Sequence, residues 1–159
     1  KPAPADIRDP IRKKAKRQTT RMMDRYIDGR LGLVFDTTSA DASKIKFYKG
    51  MLDRLGYESK MVYVSASLDN AQKRNSMRAR KLPPEIVKKD WDRSQKNIDI
   101  MKKIFRKDFV QVTNDDDLSS LQKKTNSLFS KLMTWSTSFP NNKPSSLWKQ
   151  RQLLTKKYK

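Results

Sequence analysis

Three short apolar runs constrain the fold of this chain more than any other feature. Residues 31–35 read Leu-Gly-Leu-Val-Phe, residues 60–64 Lys-Met-Val-Tyr-Val, and residues 109–112 Phe-Val-Gln-Val. The first is continuous rather than alternating, which fits a strand buried on both faces, as in a parallel sheet. Parallel strands cannot be joined by tight turns and need crossover connections, usually helices. The stretches between the runs have helical spacing. Ile45, Tyr48, Met51, Leu52 and Leu55 form one face ending at Gly56; Leu68, Ala71 and Asn75 form another. Beyond the break at Leu82, Pro83 and Pro84, a third face carries Val87, Trp91, Ile98, Met101, Ile104 and Phe105. Leu118, Leu121, Thr125, Leu128, Phe129 and Leu132 outline a further helix. Before the first run, Asp9 and Pro10 suit a helix cap and first position. Ile11, Ala15, Met22 and Tyr26 then make a stripe that Gly29 ends. The expected class is α/β, with a three-layer, mostly parallel sheet containing residues 31–35, 60–64 and 109–112.

Charge divides the chain differently. Its 159 residues hold 37 Lys and Arg against 17 Asp and Glu, a net charge of +20. Residues 31–72 are neutral and residues 108–142 carry −1, whereas residues 1–30, 73–107 and 143–159 carry +6, +9 and +6. The excess base therefore decorates helices and an end segment around a balanced interior. This predicts a compact domain over 1–142 and a basic C-terminal tail over 143–159, with Trp148, Leu153, Leu154 and Tyr158 as anchors on nucleic acid or a protein partner. Such a field attracts nucleic acid or another polyanion; it also serves plain solubility. No run approaches the roughly 18 apolar residues of a membrane span, so no membrane partner is expected. The chain has no Cys and no His. Thiolate chemistry, disulfides, Cys-based metal sites and His-based acid–base catalysis are excluded, leaving carboxylates, Lys, Arg, hydroxyls and backbone.

In a parallel sheet, ligands sit beyond the C-terminal ends of the strands. Three polar clusters map there: Asp36, Thr37 and Thr38; Ser65, Ala66 and Ser67; and Thr113, Asn114 and Asp115. A carboxylate at Asp36 can hold magnesium, because hard cations take oxygen ligands; a helix cap or turn residue would look the same. Thr37 and Thr38 can donate hydrogen bonds to a substrate. Arg74 and Arg78 lie four apart, with Arg80 just beyond, and Arg offers planar donor pairs to phosphate; a solvated basic face is the alternative. A phosphate-cradling Walker loop requires Gly-x-x-x-x-Gly-Lys followed by Ser or Thr, and the 159 residues contain none.

The segment from Tyr26 to Asn97 resembles P-loop kinases of the zeta-toxin and polynucleotide-kinase type, especially versions encoded by tailed bacteriophages. The resemblance rests on Leu33, Val34, Phe35, Asp36, Thr37 and Thr38, then Leu55, Gly56 and Tyr57, then Met61 to Val64. It closes on Arg74, Asn75, Ser76, Met77, Arg78, Ala79, Arg80 and Lys81. It implies that Asp36 is the catalytic and metal-holding carboxylate near the transferred phosphate. It also implies that Arg74, Arg78 and Arg80 are lid arginines on the nucleotide phosphates, that Asn114 lies beside the base, and that ATP and Mg are the cofactors once a phosphate loop is supplied. In such kinases the loop precedes the segment corresponding to residue 1. The chain thus resembles the C-terminal portion of a P-loop kinase, not competent alone. The alternative is a basic nucleic-acid-binding or virion structural protein on a kinase-like scaffold. Host cytoplasm and virion are the corresponding locations.

Overall fold

The computed structural model describes residues 4–115 and 117–157, so Asp116 and Tyr158 lie outside the described residues. The chain divides into two units, residues 1–36 and 37–159.

The first unit is helix α1, Ala5–Asp28, followed by a turn and a segment without regular secondary structure. The helix begins about one turn before the expected start and runs through Pro10. Pro10 has no N–H to give the Asp6 carbonyl, a local loss that the 24-residue helix tolerates. Gly29 donates its N–H to the Arg25 carbonyl, and Leu31 N–H turns back to the Tyr26 carbonyl. The expected stripe is present but open, with Ile11 64% and Met22 49% exposed.

Residues 31–35 correct the sequence expectation. They have no regular secondary structure and form no strand. A strand is completed by a neighbour that takes up its N–H and C=O groups, and the only ladder among the described residues joins two other segments. Val34 is 98% exposed. An apolar run is therefore necessary for a buried strand but does not supply its partner.

The second unit contains that ladder. Its order is α2 (Ala42–Arg54), β1 (Met61–Ser65), α3 (Leu68–Met77), α4 (Pro84–Phe105), a short 3-10 turn, β2 (Phe109–Thr113), α5 (Leu118–Ser136) and α6 (Lys143–Lys157). β1 and β2 pair in parallel, Met61 opposite Phe109 through to Ser65 opposite Thr113. The sheet is thus two-stranded, not the expected three-stranded one, in a helix-rich α/β body.

The period-2 alternation of β1 decides what is buried. Met61 and Tyr63 face inward onto Met101 and Phe105 of α4, while Val62 and Val64 face outward. Met101 is fully buried, worth about 2–3 kcal/mol for a side chain of this size. Ile45, Ile98, Ile104 and Phe109 close around this cluster. At the strands' N-terminal ends, Lys60 Nζ bonds Asp108 at 2.6 Å.

Side chains cap two helices of this unit at their N-termini. The Asp41 carboxylate accepts from Lys44 N–H, and Ser67 Oγ from Asn70 N–H. Gly56 takes φ +87° after α2, and Tyr57 N–H returns to the Leu52 carbonyl. A Cβ on Gly56 would lie 2.7 Å from Ser145 N, because the start of α6 packs directly on this turn. The expected tail thus opens as a docked helix. Asn142 Nδ2 donates to the Gly56 carbonyl at 3.0 Å, and Ser145 Oγ donates to the Pro140 carbonyl at 2.6 Å. Trp148 is half-buried, whereas Leu153 and Leu154 are exposed.

Candidate functional site

Parallel pairing brings the ends of β1 and β2 together, and with them two of the three polar clusters. Asn114 N–H continues the ladder to the Ser65 carbonyl at 2.7 Å. Asp115 then reaches the opening turn of α3. Its carboxylate accepts from Ser67 N–H at 2.8 and 3.0 Å, from Ser67 Oγ at 3.3 Å, and from Asn70 Nδ2 at 2.7 Å. The Asn70 amide first, then the Ser67 groups and the positive charge of Arg74, hold the Asp115 carboxyl below its ordinary value. A helix N-terminus attracts anions; here the protein's own carboxylate occupies it. A phosphate placed against α3 would have to displace Asp115, so the arginines are the better anion partners at this end of the sheet.

Arg74 does lie there. Its Nη2 donates to the Asn114 carbonyl at 2.6 Å and to Asn114 Oδ1 at 3.3 Å. Two expected site residues, Arg74 and Asn114, are therefore in direct contact. The guanidinium spends one nitrogen on neutral acceptors and stays exposed. From α4, Trp91 Nε1 donates to the Ala66 carbonyl at 2.8 Å and fixes the loop from β1 to α3.

Arg78 is placed differently from the helix face it would share with Arg74 at a spacing of four, and Arg80 lies just beyond it. α3 ends at Met77, and Arg78 already has extended geometry, with ψ 146°. The backbone turns away after the last helical residue, so Arg78 does not stack over Arg74. Both side chains are exposed, with no hydrogen-bond or ion-pair partner among the described residues.

Asp36 ends the first unit as an exposed carboxylate. Thr37 and Thr38 open the second, both exposed, and Thr37 Oγ1 accepts from Ser39 N–H at 3.3 Å. Ser39 has φ +59°, and its carbonyl accepts from Asn97 Nδ2 of α4 at 2.9 Å. No group of three or more His, Cys, Asp or Glu residues forms a metal cage among the described residues. A single carboxylate is nevertheless the usual protein share for magnesium, which keeps waters and phosphate oxygens as its other ligands. Asp36 fits that donor role; it does not fit a calcium- or zinc-type cage.

A cleft of about 640 Å³ lies away from these residues, lined by Lys49, Asp53, Lys60, Asp108 and Trp135 among others. Four of its charged side chains are paired with one another, Lys49 with Asp53 and Lys60 with Asp108.

Sequence reasoning placed Asp115 at a strand end but missed its partners, and missed Trp91 as a tie on the loop after β1 and Asn75 as a tie on the chain after α3. Asn75 carried a signal, since Asn inside a helix is a poor helix former and its presence calls for a specific bond. The contacts of Asp115 and Trp91 carried none, because their partners lie 48 and 25 residues away in sequence.

The family model for zeta toxin matches residues 3–127, which include Asp36, Arg74, Arg78, Arg80 and Asn114. No curated protein and no solved structure matches the chain. No described helix is long and apolar enough to cross a membrane.

Proposed function

The chain belongs to the zeta toxin family, and from that premise we propose that it is the phosphate-gripping portion of a P-loop nucleotide or polynucleotide kinase. The observation that carries this reading is the Arg74–Asn114 contact at the C-terminal ends of two parallel strands, where α/β proteins bind ligands. In this reading Arg74, Arg78 and Arg80 hold nucleotide phosphates, Asn114 borders the base, and Thr37 and Thr38 orient the substrate. Asp36 accepts the proton of the attacking hydroxyl or holds the metal. ATP and Mg are the cofactors: ATP supplies the phosphoryl group, and Mg neutralises charge on its oxygens.

Catalysis of phosphoryl transfer is mostly positioning and charge stabilisation. With no Walker sequence among the 159 residues, the phosphate loop has to come from elsewhere. The purified 159-residue chain is expected to show negligible ATP-dependent phosphoryl transfer. Turnover abolished by Asp36→Ala would overturn that and require an unrecognised phosphate site.

A second reading, a basic nucleic-acid-binding or virion protein of bacteriophage origin, is favoured by one observation. From Leu118 to Lys157 there are eight Lys and Arg and no acid, spread over α5 and α6. Binding would be salt-sensitive and indifferent to sequence, each phosphate contact adding about 0.9 to the slope of log affinity against log salt on duplex DNA. With ~5 contacts, doubling the salt weakens binding roughly 20-fold. Removing residues 143–159 should lower both affinity and slope; an unchanged slope rules the segment out as a phosphate binder. If it docks a protein instead, its removal abolishes that assembly and spares nucleic-acid binding.

A further inference from the structure

Asn75 lies two residues before the end of α3 and is only 7% exposed. Its Nδ2 donates to the Leu82 carbonyl at 2.8 Å, and its Oδ1 accepts from Leu82 N–H at 3.0 Å. One side chain thus takes both backbone groups of a residue seven positions on. One turn earlier, Gln72 Nε2 donates to the Pro84 carbonyl at 2.8 Å. A buried carboxamide is costly unless its bonds are made, and here donor and acceptor are both used. The effect is to fold the chain after α3 back against the helix, with Arg78, Ala79, Arg80 and Lys81 exposed outside the tether.

We infer that Asn75 is a positioning residue, a latch that fixes the 78–81 loop and so holds Arg78 and Arg80 ready for a polyphosphate chain. The inference rests on the phosphate role proposed above for those arginines. An unlatched loop has to be ordered when the anion arrives, and that entropy is charged against affinity; a latched loop has met the cost in folding. The latch is specific to the carboxamide. Aspartate would keep the acceptor for Leu82 N–H but set an oxygen against the Leu82 carbonyl.

Trypsin reads the latch directly, because the loop itself supplies its cleavage sites at Arg78, Arg80 and Lys81. The full 159-residue chain, Asn75→Ala and Asn75→Asp are digested briefly and the first cuts mapped by mass spectrometry. Inorganic tripolyphosphate is titrated into each protein and into Arg78→Ala/Arg80→Ala. The latch predicts that first cuts in Asn75→Ala fall within the loop and accelerate about 30-fold, the equivalent of two net hydrogen bonds. Asn75→Asp should be intermediate. Tripolyphosphate affinity should fall roughly ten-fold in Asn75→Ala through lost preorganisation. Loop cleavage within two-fold of the parent overturns the latch, as does acceleration spread evenly over the many other Lys and Arg sites, which would mean general loosening. Confined loop cleavage with unchanged tripolyphosphate affinity in both Asn75→Ala and Arg78→Ala/Arg80→Ala upholds the tether and overturns its phosphate role, and with it the kinase reading of the loop.

Discussion

Residues 31–38 and residues 61–67 carry the same kind of sequence, an apolar run followed by small polar residues, and end up differently. The second run becomes β1, bonded to β2 along its length, with Met61 and Tyr63 packed on Met101 and Phe105. Its polar end is held by Asp115 and Trp91. The first run has no regular secondary structure, with Val34 almost wholly in solvent. The lesson is that hydrophobicity nominates a strand and a neighbour makes it one. β1 has both a ladder partner and a helix to pack against; residues 31–35 have no ladder.

The largest effect should come from the side chain on which β1 rests. Met101→Ala removes the one fully buried large side chain among the described residues and should cost about 2–5 kcal/mol, measured by urea unfolding. A change below about 1 kcal/mol would mean that the cluster collapses around the cavity, and that β1 does not depend on α4.

Gly56→Ala comes next. It forces a side chain into φ +87° and against Ser145 N, a combined cost of about 2–4 kcal/mol from backbone strain and overpacking. Unfolding of the full chain should shift accordingly. If it does not, α6 is not docked on the turn that leads into β1.

Asp115→Ala sharpens the contrast at the polar ends through pH. The folded-state carboxyl is held low, chiefly by Asn70 and then by Ser67 and Arg74. Its contribution is therefore fully present above the ordinary aspartate range and lost as pH falls through the lower folded value. The parent chain should lose stability on acidification below about pH 4, and Asp115→Ala should lose less over the same window. Parallel acid profiles would show that the carboxylate does not fasten α3 to β2.

The smallest effect is expected at Val34→Ala, within about 0.5 kcal/mol. A larger loss would mean that residues 31–35 already bury apolar surface.

Much of the second unit was legible because its signals are local. The spacing of Val87, Trp91, Ile98 and Met101 places the buried face of α4. The parallel pairing of residues 61–65 with 109–113 follows from crossover helices. What was illegible depends on distant partners. The fate of residues 31–35 turns on a neighbour, the contacts of Asp115 on chain closure, and the docking of residues 142 and 145 on a glycine 86 residues earlier than Asn142. At the candidate site, Arg74 and Asn114 were readable as strand-end and helix residues, and their contact was not. The Arg78 geometry was misjudged because spacing of four presumes a helix that reaches Arg78, whereas α3 ends one residue sooner at Met77.

The central claim is that phosphate is handled by a local arginine site rather than by the overall charge of +20. Titrating tripolyphosphate at one salt concentration into the parent chain, Arg78→Ala/Arg80→Ala and Lys149→Ala/Arg151→Ala tests it, since both variants remove two charges. The account predicts at least a ten-fold loss of affinity in the first variant and less than a two-fold change in the second. Equal losses in the two would contradict it and leave only a diffuse basic surface.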